Sequence, residues 1–435
     1  MEDVALRSAI DVYARGMLAA GKFSPAGMVE ALSPAMRAAG CRTRPFPGRA
    51  GKSRVLILRD DAAGDFVLFS PVLREVRRLY PEAEITLVTS PRNHELAELC
   101  PYVDHVVLGQ EAADLNDFPA VFGVAMRLAE RLRQTYGPFD LAFCPRIGIC
   151  SVSLIVAYLT GARERVGWTQ ERVNTQGEVV RNGWDVLLTE AVPFPMLPMQ
   201  DVDRNLLLLE HLLRLPIADR TLEVWYSAED EEAAGAALAP LLSSGLRRVY
   251  AVAAAASLPM KQWPPERYAQ VLARIAAEEP DVGFVLLGGP ADAAAADVVA
   301  ATLGARCAVL AGKVSFRVSA AVIARTQLYI GDDTGLMHLA AAVHVPVLSV
   351  NCFPASLRLV PLSIPVRFTP YGVPSVTVVP RAARDGCDDF WRYGCSHDQE
   401  PHCILGVSPE AVYAAYRTLV SRVQAGEQKP LVFKA

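Results

Sequence analysis

The stretch that most constrains the fold is residues 327–350, QLYIGDDTGLMHLAAAVHVPVLSV. The apolar run 328–330 predicts a strand, the turn GDDTG follows it, and residues 336–343 predict a short helix before a second strand at 347–350. Such a turn presents backbone N–H groups at the start of a helix, where unpaired donors and the positive end of the helix dipole favour an anion. The pattern therefore predicts an α/β unit with a turn suited to a phosphate group.

The polar side chains of this turn leave two interpretations open. Thr334 and His338 are four residues apart, so a helix carries both on one face, and Asp333 is placed to cap the helix or to accept hydrogen bonds from hydroxyl groups. An ordinary helix cap with a structural histidine explains the same residues about as well as a phosphate site.

Composition restricts the class of protein. The chain has 435 residues, of which 52% are hydrophobic and 21% are charged, which excludes a disordered chain and is sufficient for two or three domains. A formal net charge of −4 gives no support for nucleic acid as a partner. No stretch of about 18 apolar residues occurs, and the N-terminus is acidic and amphipathic, so the sequence predicts a cytoplasmic protein.

Residues 1–50 are predicted to form a helical extension and a linker rich in Pro and Gly. Residues 31–59 contain seven basic and no acidic side chains. This segment could contact the anionic surface of the inner membrane peripherally, or it could be a solvated linker.

Strand and helix patterns alternate along the rest of the chain. Strands are predicted at 54–59, 84–89, 103–108, 139–143 and 249–253, and helices at 66–79, 121–136 and 265–278. This alternation predicts parallel sheets covered by helices, in two units that meet near residue 222.

Three separated motifs occur in the order found in one known family. The first strand leads into a Gly-Asp turn and a P-L-R helix, K-x-W-P occupies residues 261–264, and DDTGLMHLAAA occupies residues 332–342. Together they resemble glycosyltransferase family 9, the ADP-heptose heptosyltransferases of lipopolysaccharide synthesis and their relatives. The resemblance extends from about residue 53 to the C-terminal helix.

The resemblance implies a GT-B fold, in which two Rossmann-like domains face each other across a cleft. Residues 1–50 would be the helical extension, 51–222 the acceptor domain and 223–410 the nucleotide-sugar domain, which carries a cysteine-bearing insert near 387–403. Residues 411–435 would form a C-terminal helix and tail.

The resemblance also implies the site residues. Asp65 matches the catalytic base of the family, although spacing alone favours a helix cap at this position. Lys261 would touch the donor diphosphate with help from Ser257, and the N–H groups around Thr334 and Gly335 would stabilise its charge. Asp333 would bind sugar hydroxyls, and His338 would support the phosphate or orient the turn.

The implied reaction is an inverting transfer, without a catalytic metal, of a heptose from ADP-heptose to a hydroxyl of a bacterial cell-surface glycan such as the lipopolysaccharide core. Transfer of a heptose or another sugar to Ser or Thr hydroxyls of proteins is an alternative. A non-catalytic nucleotide-sugar-binding homologue is another, because Ala62, Ala63 and Ala256 depart from the family pattern. A nicotinamide oxidoreductase is disfavoured, because no G-x-G-x-x-G follows the first strand of either unit.

Nine cysteines are present, and Cys387, Cys395 and Cys403 are evenly spaced near the C-terminus. With Cys352 as a fourth thiolate they could hold structural Zn²⁺ or iron in a closed tetrahedral site. The spacing matches no C-x-x-C ligand pair, so free thiols or an adventitious disulfide remain alternatives.

Overall fold

The computed structural model describes residues 53–109, 118–146, 151–169, 171–173, 179–181, 183–195, 199–355, 367–384 and 399–435. The predicted N-terminal extension, residues 1–50, lies outside these ranges, and so do Cys387 and Cys395.

The strands are β1 (Arg54–Arg59), β2 (Glu84–Thr89), β3 (His105–Leu108), β4 (Leu141–Cys144), β5 (Glu164–Trp168), β6 (Glu171–Val173), β7 (Val179–Arg181), β8 (Glu190–Val192), β9 (Arg248–Ala253), β10 (Val282–Leu286), β11 (Cys307–Val309), β12 (Leu328–Asp332), β13 (Val347–Val350), β14 (Ser375–Val379) and β15 (Pro430–Lys434). The helices are α1 (Ala63–Val67), α2 (Ser70–Leu79), α3 (His94–Ala97), α4 (Phe118–Thr135), α5 (Ser151–Leu159), α6 (Asp201–Leu213), α7 (Ala228–Ser243), α8 (Pro265–Glu278), α9 (Ala293–Leu303), α10 (Phe316–Ile323), α11 (Gly335–Ala342) and α12 (Pro409–Gln424).

The described chain separates into two compact units. Unit 1 contains the described residues of Met1–Ala62, Val72–Pro195 and Asn205–Ala218. Unit 2 contains Asp219–Ala435 together with two short segments from earlier in the chain, Ala63–Pro71 and Met196–Arg204. The Gly-Asp turn and helix α1 therefore group with unit 2.

Unit 1 contains a six-stranded parallel sheet in the order β3-β2-β1-β4-β5-β8. Strand β1 is buried along almost its whole length, which explains why its sequence is a continuous apolar run and not an alternating one. Its apolar core includes Leu56, Leu58 and residues of α4 and α5, among them Ala125 and Ile155. A short antiparallel pair, β6-β7, is separate from this sheet.

The predicted helix 66–79 is wrong in one respect, because the structure has two helices, α1 and α2, with a break between them. Pro71 lacks an N–H group and cannot continue the hydrogen-bond series of α1. The hydroxyl of Ser70 instead donates to the carbonyl of Val67 at 2.7 Å. The chain therefore restarts as a separate helix at Ser70.

Unit 2 contains a seven-stranded parallel sheet in the order β11-β10-β9-β12-β13-β14-β15. Its core joins strand residues such as Val252 and Ile330 to Tyr268 and Leu272 of α8 and to Tyr416 of α12. The α/β class and the two Rossmann-like units of a GT-B fold are confirmed.

The C-terminal region differs from the expected helix and tail. Helix α12 begins at a Ser408 cap, whose hydroxyl accepts from the N–H of Ala411 at 3.2 Å. The residues after it form β15, which pairs in parallel with β14 and extends the sheet of unit 2. In the parts of the chain that the structure describes, no helix has the length and apolar character needed to cross a bilayer.

Candidate active site

The candidate site lies where the strand order of unit 2 reverses. Strands β9 and β12 are neighbours, and the chain leaves them toward opposite sides of the sheet, to β10 and to β13. In open parallel sheets, ligands bind at the carboxyl ends of the two strands that flank such a point. The Pro259–Lys261 turn follows β9, and the GDDTG turn overlaps the end of β12, so two of the three sequence motifs meet at this position.

The first feature of the site is the start of α11. Thr334 is its N-cap residue, with an extended backbone, and its side chain makes no capping hydrogen bond. The Thr334 hydroxyl is instead 3.4 Å from that of Tyr329. The structure therefore does not support the interpretation of Asp333 as the cap of this helix. The first N–H groups of an eight-residue helix remain suited to an anion.

The second feature is a buried ion pair between the two motifs. The Nζ atom of Lys261 donates to Oδ2 of Asp333 at 2.8 Å. Burial alone would lower the pKa of Lys261, but the carboxylate of Asp333, with smaller contributions from Cys352 and Asp65, outweighs this effect and raises the pKa. The lysine is therefore a cation at neutral pH, and its hydrogen bond to Asp333 fixes the orientation of its side chain.

The third feature is the imidazole of His338, which projects from the first turn of α11 and is 3% exposed. Its Nδ1 atom has no hydrogen-bond partner among the described residues. Burial lowers the pKa of His338, and the negative charges of Asp333 and Asp65 offset only part of that effect. A neutral imidazole beside this turn thus keeps one buried nitrogen without a partner among the described residues, which is a costly arrangement.

Helix α1, which carries Asp65, packs against the start of α11. A Cβ atom at Gly64 would lie 2.7 Å from Cδ2 of His338 and 3.3 Å from Cα of Gly335, so only glycine permits this approach of α1 to α11. Asp65 follows Gly64 in the first turn of α1 and is half-buried. Its charge contributes to the raised pKa of Lys261 and opposes the lowered pKa of His338, so the three side chains share one electrostatic environment.

Sequence reasoning did not single out Asp332, although it adjoins Asp333. Asp332 is fully buried and accepts from the hydroxyl of Tyr268 at 2.8 Å and from the backbone N–H of Trp263 at 3.3 Å. Burial raises its pKa well above the usual range, despite these hydrogen bonds. A doubled aspartate at the end of a buried strand was the available signal, since side chains alternate there between two directions.

Phe368 is a second residue that the sequence did not reveal. Its ring centroid is 5.8 Å from Nζ of Lys261, 4.5 Å from Cζ of Arg367 and 6.2 Å from the ring centroid of His338. Arg367 in turn donates to both oxygens of Asp201 at 2.8 and 2.9 Å. An aromatic face close to a buried cation contributes about 0.5–2 kcal/mol to its stability, and no motif marks this segment.

Two sets of predicted residues are not part of this group of contacts. Ser257 is exposed, and among the described residues no contact joins it to Lys261. Cys352 and Cys403 are buried, and the Sγ atom of Cys403 lies 3.5 Å from Nδ1 of His402. The described residues contain no cluster of three or more metal-ligating side chains, and a four-cysteine site stays a prediction because Cys387 and Cys395 lie outside them.

Chemically, the group combines a fixed ammonium, the N–H groups of a helix start, a neutral imidazole and a nearby carboxylate. The first three suit an anionic leaving group, and the fourth can accept a proton.

Comparison with known proteins identifies the class. Residues 147–362 match glycosyltransferase family 9 (heptosyltransferase). The Escherichia coli protein lipopolysaccharide heptosyltransferase 2 is 23% identical over 308 residues, 68% of this chain and 82% of that protein. A Haemophilus influenzae glycosyltransferase is 31% identical over 65 residues, which is 15% of this chain and 19% of that protein.

Solved structures agree at the level of the fold. A family 9 glycosyltransferase from Veillonella parvula aligns with a TM-score of 0.66 and 19% identity, covering 86% of this chain and all of that one. An E. coli heptosyltransferase with ADP aligns with a TM-score of 0.58 and 16% identity, covering 84% and 99%. The predicted resemblance to glycosyltransferase family 9 is confirmed, and the chain is a glycosyltransferase.

Proposed function

We propose that this enzyme transfers a heptose from ADP-heptose to a hydroxyl group of a bacterial cell-surface glycan, such as the lipopolysaccharide core. The observation that carries the proposal is the meeting of Lys261 and Asp333, at 2.8 Å, beside the unpartnered Nδ1 of His338 at the start of α11. An E. coli relative is a lipopolysaccharide heptosyltransferase, and a structure with the same fold is a heptosyltransferase with ADP.

In this proposal the donor diphosphate lies at the start of α11. The N–H groups that follow Thr334 would donate to its oxygens, Lys261 would neutralise part of its charge, and His338 would supply one further hydrogen bond. Asp333 would hold Lys261 in direction and accept from hydroxyls of the sugar, and Ser257 would assist at the rim of the site. The ammonium of Lys261 and the N–H groups of α11 are fixed before the reaction, so they can stabilise charge that develops on the leaving diphosphate without reorganising.

Asp65 would act as the general base. Its carboxylate takes the proton of the acceptor hydroxyl, the hydroxyl oxygen forms a bond to the anomeric carbon, and the bond from that carbon to the diphosphate breaks. The diphosphate leaves with the electron pair on the opposite face of the sugar, so the configuration inverts. The chain's own groups supply the base and the charge stabilisation, and the proposal assigns no step to a catalytic metal.

The acceptor would bind to unit 1, whose strand order also reverses, between β1 and β4. Asp60 follows β1 and accepts from the hydroxyl of Ser153 at 2.7 Å, and Arg146 follows β4 at 3.4 Å from the Asp60 carboxylate. A carboxylate and a guanidinium at one sheet edge suit a hydroxylated, anionic glycan. The part of the basic segment that precedes β1, residues 31–53, would add peripheral contact with the membrane that carries such an acceptor.

The test is transfer by the purified full-length chain. ADP-heptose, UDP-sugars and GDP-sugars are supplied with a lipopolysaccharide core acceptor or with a Ser/Thr peptide, and the products are analysed by mass spectrometry. Heptose transfer to the core supports the proposal. Transfer only from a UDP- or GDP-sugar, or only to the peptide, would overturn the donor or the acceptor assignment.

The assignment of Asp65 has its own test. Asp65→Asn should lower kcat by about 10²–10⁴-fold and leave the Kd for ADP within about twofold of the wild type, because a base acts in the chemical step. Asp297→Asn, an exposed change on α9 of the same unit, is the matched control and should keep wild-type kcat. Wild-type turnover of Asp65→Asn would end the assignment.

A further inference from the structure

We infer that the hydrogen bond from Tyr268 to Asp332 is a positioning device, which fixes the turn that carries Lys261 and so sets the affinity of the enzyme for the donor diphosphate. The inference rests on the proposed role of Lys261. It concerns two fully buried residues, to which the proposed function assigns no contact with the donor or the reacting atoms.

The two consecutive aspartates at the end of β12 bind the same short segment at two places. Asp333 accepts from the side chain of Lys261 at 2.8 Å. Asp332 accepts from the backbone N–H of Trp263, at 3.3 Å from each of its oxygens. The segment is thus held by its ammonium group and by its backbone two residues later, and both contacts come from one strand end.

Tyr268 fixes the carboxyl group of Asp332 itself. Its hydroxyl donates to Oδ1 of Asp332 at 2.8 Å, and its ring packs edge-on against Trp263 with centroids 4.7 Å apart. All three side chains are fully buried. Because buried polar atoms must be satisfied by hydrogen-bond partners, the hydroxyl of Tyr268 and the N–H of Trp263 hold this carboxyl group in place.

The far side of the same segment is also held. The indole N–H of Trp263 donates to the carbonyl of Val407 at 3.0 Å, and the guanidinium of Arg267 donates to that carbonyl at 2.7 Å. The end of the turn that follows Lys261 is therefore held in place by hydrogen bonds to Val407. A change in the Asp332 contact would be transmitted to the ammonium group, since a group that acts by direction loses effect when displaced by about 1 Å.

A double-mutant cycle on ADP binding tests the inference. Tyr268→Phe removes only the hydroxyl and keeps the ring against Trp263. ADP affinity is measured by titration calorimetry on the wild type, Tyr268→Phe, Lys261→Ala and the double variant. Tyr268→Phe should weaken ADP binding about 3–10-fold when Lys261 is present, and less than about twofold when Lys261 is alanine.

Tyr413→Phe is the matched control, because it removes the hydroxyl of another buried tyrosine of unit 2 that donates to a carboxylate, Glu278, away from the site. It should leave ADP affinity unchanged. If Tyr268→Phe behaves like this control, with a lower melting temperature and unchanged Kd, or if its loss persists in the Lys261→Ala background, the positioning role is wrong. If Lys261→Ala itself binds ADP as the wild type does, the proposed donor site fails and the positioning role fails with it.

Discussion

The contact between α1 and α11 gives a sharp prediction, because it depends on one missing methyl group. Gly64→Ala introduces a Cβ atom 2.7 Å from Cδ2 of His338 and 3.3 Å from Cα of Gly335. The first neighbour is a ring atom of a buried side chain and the second is backbone, so neither moves aside freely. Helix α1 must therefore shift relative to α11 by about 0.7 Å to reach an ordinary contact distance of 3.4 Å.

Two opposing terms decide the outcome for stability. Gly64 lies in a helix and its backbone is not in the left-handed region, so alanine would favour the helix by about 1 kcal/mol. Overpacking of a closely packed contact costs about 1–3 kcal/mol. The net change in unfolding free energy is therefore small, from about zero to 2 kcal/mol lost, and the protein stays folded.

The effect on activity should be larger, because Asp65 is the next residue. A displacement below 1 Å of a catalytic group can lower the rate by up to about 10²-fold, so kcat of Gly64→Ala should fall about 10–100-fold. The control is Gly123→Ala in α4, where the nearest atom to the new Cβ is the mobile Nη1 of Arg127 at 3.4 Å. This control should keep wild-type kcat, measured by heptose transfer, and be slightly more stable in urea. Wild-type kcat for Gly64→Ala would refute the argument that this contact positions Asp65.

Two further predictions concern other residues. Burial, with a smaller effect of Glu190, raises the pKa of Glu164 to about 7 from 4.5. Because the unfolded chain loses this proton first as the pH rises from 4.5 to 7, the free energy of unfolding falls over that range. Glu164→Gln should therefore stabilise the protein by roughly 1–2 kcal/mol at pH 8 and leave its stability unchanged at pH 4. Urea unfolding at both pH values measures this difference. Phe368→Leu removes the ring face near the Lys261 ammonium and should raise the Kd for ADP about 2–5-fold, whereas Phe368→Tyr should bind as the wild type does; equal Kd values for both would contradict a cation–π role.

The sequence predicted the parts of the site that are local in the chain. The turn after β12 follows from a buried strand, small and acidic residues and an apolar helix, all within 24 positions. Resemblance to a family added Lys261 and Asp65, and the structure brings Lys261 to Asp333. The strand positions were equally accessible, because a continuous apolar run such as that of β1 suits a strand buried on both faces.

The contacts that complete the site depend on residues far apart in the chain. Tyr268 and Asp332 are 64 positions apart, and the Gln200 amide reaches the hydroxyl of Thr369 over 169 positions. A single sequence carries no signal for such pairs. The break between α1 and α2 could have been found, because Pro71 forbids continuation of the helix, but the apolar periodicity on both sides of it concealed the boundary.

The charges of the site also affect how substitutions at Lys261 should be interpreted. The ammonium and the Asp333 carboxylate form a neutral pair, and the lowered pKa of His338 leaves its imidazole uncharged, so the favourable field for a diphosphate comes mainly from oriented donors. Lys261→Ala removes one such donor, and it also leaves the carboxylate of Asp333, 6% exposed, without its cation. Part of any loss of ADP affinity would then be repulsion between Asp333 and phosphate. Because Asp333→Asn abolishes that repulsion, the difference in ADP affinity between Asp333→Asn alone and Asp333→Asn combined with Lys261→Ala isolates what the ammonium itself contributes to donor binding.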